Sequence, residues 1–326
     1  MIVKAFWRVT KVKNSSSPYD TINLKVLYPS LAKDPQQSRS ASSVDSTLAP
    51  FPVVIFFSGI NCSLIMYQWL AFKLAARGLV VVLFDWLAEN IPGSIALTPG
   101  VDLAAFSPDV YGTIPSASAF PLLLAELEYL QSESILAGML DLQKIILGGH
   151  SAGGRIALEN AEPRFFSQVC AAFSYGAHSA TAIQLGCNPG AISPLPSSVP
   201  MLLMAGTCDG VIAKNSHRYG LSEWKAPTTP VIRTFNEAIS GGRNDTYLIV
   251  LEGANHFSIA EYLDLTVEAI ALDFPATQPE NDIRSMIASA TSLFIDTVVR
   301  QPSKASQELQ QLLKTNNSLI ALSQFK

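Results

Sequence analysis

The sequence is poor in the residues that mark metal-bound and disulfide-stapled proteins. Its 326 residues include four cysteines and four histidines. Cys62, Cys170, Cys187 and Cys208 show no paired short spacing, and no zinc signature joins them to a histidine. Free, buried thiols are therefore the expectation, with no metal. Charge is sparse as well, at 15% of residues, and 26 acidic against 22 basic residues leave a formal net charge of −4. Without a basic stripe, nucleic acid is not an expected partner. The longest apolar run, Gly78 to Leu83 and just beyond, is far short of a membrane span. Charges interrupt Met1-Ile2-Val3-Lys4-Ala5-Phe6-Trp7-Arg8 too early for a secretory signal, so a cytoplasmic location is expected. No internal repeat is visible.

What is present is apolar sequence, 48% of the chain. That suffices for one large core or two modest ones, and no linker divides the chain, so residues 1–326 read as a single domain. Residues 3–12 and 21–28 alternate apolar and polar and predict an antiparallel pair at a sheet edge. Residues 30–50, rich in Ser, Ala, Gln and Pro, read as a loop. Continuous apolar runs at 52–57, 79–84, 144–148, 169–173, 200–206 and 246–251 predict strands buried on both faces. Helical spacing appears from Ser63 to Arg77 and over 119–137, 280–300 and 304–324, with a short helix near 215–224. The fold class is thus α/β: a mostly parallel, eight-stranded sheet with antiparallel N-terminal strands and helices on both faces. The stretches 86–118 and 176–199 lack a clear period. The first is unusually apolar for a loop, and both are the expected covers over a site.

The most informative stretch is Lys144-Ile145-Ile146-Leu147-Gly148-Gly149-His150-Ser151-Ala152-Gly153-Gly154-Arg155. A strand-like run ends at glycines, a serine follows, and a helical pattern begins. Gly149, Ser151 and Gly153 fit the strand–turn–helix motif that presents a nucleophilic serine. A serine at the tip of such a turn needs strained backbone angles, and its neighbours two positions away must lack bulk.

A serine hydroxyl is a weak nucleophile at neutral pH and needs a base, itself oriented by a third group. In doubly wound sheets such groups stand after the carboxyl ends of strands. His256, in Leu251-Glu252-Gly253-Ala254-Asn255-His256-Phe257, follows the last parallel strand and is the candidate base. No Asp or Glu occurs from Pro163 to Cys208, so an orienting carboxylate after either strand of that interval must be Asp209, in Gly206-Thr207-Cys208-Asp209-Gly210. Two backbone N–H groups should stabilise developing negative charge: Ala152, just after the serine, and Ile60 in Phe57-Ser58-Gly59-Ile60-Asn61, with Asn61 next in line. Asp85, at another strand end, reads as a turn or helix cap. Trp69, Trp86, Phe106, Tyr111, Trp224 and Phe257 are candidates for lining an apolar pocket.

Ser58-Gly59, the Gly149–Gly154 turn, Gly206-Thr207-Cys208-Asp209 and Ala254-Asn255-His256-Phe257 together resemble the α/β-hydrolase fold over residues 50–275. Within it the chain is similar to the dienelactone-hydrolase-like, chlorophyllase-like and platelet-activating-factor-acetylhydrolase-like esterases. The resemblance implies hydrolysis of carboxylic esters through an acyl-serine, without a cofactor. It departs from the pattern at Ser58, where many esterases carry histidine, and a bulky tertiary-alcohol ester is correspondingly disfavoured as substrate. The expected function is a serine ester hydrolase acting on an apolar small-to-medium ester, of lipid or chlorophyll type. The alternatives are a non-catalytic ligand-binding protein and a serine peptidase on the same fold. Oligomeric state is not legible in the sequence.

Overall fold

The computed structural model describes residues 2–13, 15–31, 44–91, 93–300, 302–314 and 317–326. Much of the expected loop at 30–50, residues 32–43, lies outside the described residues. The strands are β1 (Ile2–Lys11), β2 (Thr21–Ser30), β3 (Phe51–Phe57), β4 (Val80–Ile91), β5 (Ser94–Leu97), β6 (Leu140–His150), β7 (Val169–Tyr175), β8 (Met201–Gly206), β9 (Tyr247–Leu251) and β10 (Ile320–Phe325). The helices are α1 (Gln68–Ala75), α2 (Phe120–Glu133), α3 (Ser151–Glu159), α4 (Gly210–Lys214), α5 (Thr229–Arg233), α6 (Glu268–Leu272), α7 (Glu280–Val299) and α8 (Pro302–Lys314).

The strands form one mixed sheet in the order β1-β2-β4-β3-β6-β7-β8-β9-β10, with β5 paired to β4 off this path. From β4 to β9 every neighbouring pair on the path is parallel, and antiparallel pairs close both ends. Alternate residues of one strand enter two separate cores. Val53, Ile55 and Phe57 of β3 pack with α2 and α3, while Val54 and Phe56 pack with α1, α7 and α8. Helices therefore cover both faces, and every residue of β3, β8 and β9 is buried, as their unbroken apolar runs require. β1, on the open edge, alternates exposed and half-buried residues.

The sheet has ten strands, not eight, and both extra strands fall where the sequence suggested something else. The stretch 86–118 is not a continuous loop: β4 runs on to Ile91 and turns back as β5, an antiparallel arm. The expected helix at 304–324 ends with α8 at Lys314, and β10 follows. β10 pairs with β9 from Phe325↔Tyr247 to Ile320↔Leu251, so filling the open edge of a buried strand outweighs helical spacing there. The short helix expected near 215–224 is a single 3-10 turn at Ser216–Tyr219, preceded by α4, which was not singled out from the sequence. Among the described residues no helix is long and apolar enough to cross a membrane.

Candidate active site

β6 delivers Ser151 at the carboxyl edge of the sheet. Its final residues pair with β3 (Phe57↔Gly149) and β7 (His150↔Tyr175), so the turn into α3 is clamped from two sides. Ser151 has φ 54°, in the left-handed region that a non-glycine residue seldom occupies. The flanking glycines are required by close approach. A Cβ on Gly149 would lie 2.4 Å from the carbonyl oxygen of Gly153, and one on Gly153 would lie 2.2 Å from that of Phe57. α3 can start where it does only because both are bare.

Asp209 follows β8 and caps α4, its Oδ1 accepting from the Ile212 N–H at 2.8 Å. Its Oδ2 lies 2.7 Å from Nδ1 of His256, in the loop after β9. Both side chains are buried. A carboxylate oxygen only accepts, so Nδ1 carries the proton and Nε2 keeps its lone pair. Burial pulls the His256 pKa down, but the charge of Asp209, its hydrogen bond and the charge of Asp273 more than offset it, and the net direction is up.

The loop after β3 supplies backbone donors. The Gly59 N–H donates to the Tyr67 hydroxyl at 3.3 Å, and that of Asn61 to Leu97 of β5 at 2.9 Å. Asn61 is thereby spent, whereas among the described residues the N–H groups of Ile60 and Ala152 have no protein acceptor. The first turn of α3 packs on this loop, since Gly153 sits against the carbonyls of Phe57 and Ser58.

The structure thus joins Asp209 to His256 directly, and it links Ser151 to this pair only through its neighbour in the chain, His150. Ser151 adjoins His150, whose ring centroid is 4.7 Å from that of His256. Among the described residues the Ser151 hydroxyl makes no hydrogen bond; such contacts are often long before substrate binds. Asp85 is the cap the sequence suggested, accepting from the Leu64 N–H at 2.7 Å and the Ser63 hydroxyl at 2.9 Å. Of the aromatic candidates, Phe257 packs on His150 and His256, and Phe106, Tyr111 and Trp224 lie further along α3 and around His178. Trp69 and Trp86 turn their indole N–H groups to the Ile259 and Tyr19 carbonyls. Cys62 is buried, its thiol pushed up to about 11 by desolvation; Cys170, Cys187 and Cys208 are free but only half-buried.

Three residues of this neighbourhood were not singled out from the sequence. His150 is fully buried and held well below its ordinary pKa, first by burial and then by the charge of His256. Its Nε2 donates to the His256 carbonyl at 2.9 Å, which leaves Nδ1 to accept from the Tyr67 hydroxyl at 2.8 Å. A chain of hydrogen bonds thus runs from Gly59 through Tyr67 and His150 to the backbone of His256. Asp273 accepts from the N–H groups of Gly210 (2.8 Å) and Phe257 (3.1 Å), tying the loops of Asp209 and His256 together. Only the adjacency of His150 to Ser151 is visible in the sequence; Tyr67 and Asp273 carry no local signal.

Among the described residues no group of histidines, cysteines and carboxylates could hold a metal ion. No family model matches the chain, and no curated protein matches it.

Proposed function

We propose that this protein is a serine hydrolase of carboxylic esters on an α/β-hydrolase frame, of the dienelactone-hydrolase, chlorophyllase and acetylhydrolase-like type. The observation that carries the reading is a serine in a strained, left-handed conformation at a strand-to-helix turn, whose neighbour His150 has its ring centroid 4.7 Å from that of a buried imidazole paired at 2.7 Å with a carboxylate. Ser151 Oγ attacks the ester carbonyl while His256 Nε2 takes its proton. The Ile60 and Ala152 N–H groups receive the developing oxyanion. The imidazolium, held by Asp209, returns the proton to the departing alcohol and leaves an acyl-serine. Water, deprotonated by the same imidazole, then releases the acid.

Turnover of a graded series of p-nitrophenyl esters, from acetate to palmitate, tests this. The wild-type protein is expected to hydrolyse a medium-chain member, and Ser151→Ala to lose about 10³-fold or more in kcat. Equal turnover by both would overturn the reading. Ligand binding without turnover would point to a binding protein instead.

A further inference from the structure

Among the described residues six buried side-chain polar atoms lack a hydrogen-bond partner, and three of them stand on three different segments: Arg155 Nη2, His178 Nδ1 and Trp224 Nε1. They belong to one cluster. The His178 ring lies 4.9 Å from that of Tyr219 and 6.3 Å from that of Trp224. Arg155 reaches the same place, its Nη1 donating at 2.6 Å to the carbonyl of Ala180, two residues beyond His178. His178 and Trp224 are each more than nine-tenths buried. A buried N–H without a partner costs free energy, and one such group is tolerable where three together are costly.

The cluster borders the candidate active site. Arg155 is one helical turn beyond Ser151 on α3, and side chains on a helix lean back toward its N-terminus. His178 is two residues past Gly176, where an added Cβ would lie 3.1 Å from His256 Nδ1. The charge of the cluster is already balanced. Arg155 Nε donates to Glu159 Oε1 at 2.8 Å, and the Glu159 oxygens also accept from Tyr111 and Ser116. Two of the three open atoms, on Arg155 and Trp224, can only donate, whereas His178 Nδ1 can do either.

Resting on the esterase reading, we infer that Arg155, His178 and Trp224 form a subsite for an uncharged oxygen acceptor on the substrate, a second carbonyl beyond the ester that is cleaved. A carbonyl oxygen has two lone pairs and no charge, which suits two fixed donors in a neutral setting. A carboxylate would bring charge to a site whose cation is already paired.

The test compares p-nitrophenyl acyl esters carrying an oxo group on the fourth, fifth or sixth acyl carbon with counterparts that carry a methyl branch there. Each rate is corrected for the rate of that ester in alkali. Wild type, Trp224→Phe and Arg155→Lys are assayed after thermal melting has shown each to be folded. At one position the oxo ester is expected to exceed its counterpart in kcat/KM by about ten-fold or more, and both substitutions to bring that ratio close to one. Turnover with no oxo preference at any position, or a preference that survives both substitutions, would show that the cluster holds only water and overturn the subsite alone. Absence of turnover for every ester would remove the esterase reading and the subsite with it.

Discussion

At the scale of single residues, the proposed mechanism depends on one imidazole that must be neutral to accept a proton. The Asp209 carboxylate and the Asp273 charge favour its protonated form against burial, so the His256 pKa lies above the ordinary 6.5. Below that pKa the base is already occupied. The acid limb of a kcat/KM profile is therefore expected to have its midpoint above pH 6.5. Asp209→Asn removes the largest upward influence, so it should shift that midpoint down and reduce kcat by about 10⁴-fold. A midpoint that stays put in the variant would mean that His256 is not the titrating group. Ser151, Asp209, His256 and Ile60 could be named as candidates from the sequence because each follows a strand end, where reacting groups gather in this class of sheet. Tyr67 and Asp273 were not: each acts through a contact made across the fold, with nothing nearby in the chain to announce it.

At the scale of elements, the β6–α3 turn is fixed by the two glycines that let backbone pass backbone. Gly153→Ala puts a methyl group 2.2 Å from the Phe57 carbonyl oxygen, and no flexible side chain is there to yield. The substitution is expected to destabilise the protein by about 2 kcal/mol or more and to displace Ser151 and Ala152 together. Urea unfolding and ester turnover measure the two effects. A variant with wild-type stability and rate would show that the turn is looser than described. The buried parallel strands were legible from unbroken apolar runs. β5 and β10 were not, because both are pairing choices. Asn61 binds Leu97 of β5 through both its N–H and its Oδ1, which explains why the arm folds back over the β3 loop. The segment Ile320–Phe325 is drawn to the open edge of β9, a feature that exists only once the sheet does.

At the scale of the whole molecule, the sheet gathers three histidines into one buried region with opposite consequences for stability. His150 is held well below its ordinary pKa, and His178 is lowered to about 3 by burial, by the charge of Arg155 and by that of His256. For both, the unfolded chain binds protons below about pH 6.5 while the folded protein does not. Their contribution is present above that pH and is lost as pH falls, on the order of 4 kcal/mol for His178 once pH nears 3. His256 has a raised pKa and works the other way, its contribution full below pH 6.5 and lost as pH rises through the folded value. The thermal midpoint is expected to drop between pH 6.5 and 4.5, and to drop less in His178→Asn. An equal drop in both proteins would assign the acid sensitivity to other groups.

The central claim is that Ser151 is a nucleophile activated where three strand ends meet, and covalent capture tests it most directly. The protein is treated with an alkyl fluorophosphonate and the adduct is located by mass spectrometry of its peptides. The account expects one equivalent of phosphonate on Ser151, and none after His256→Ala. An unlabelled Ser151 in folded protein, or a label on another residue, would contradict it.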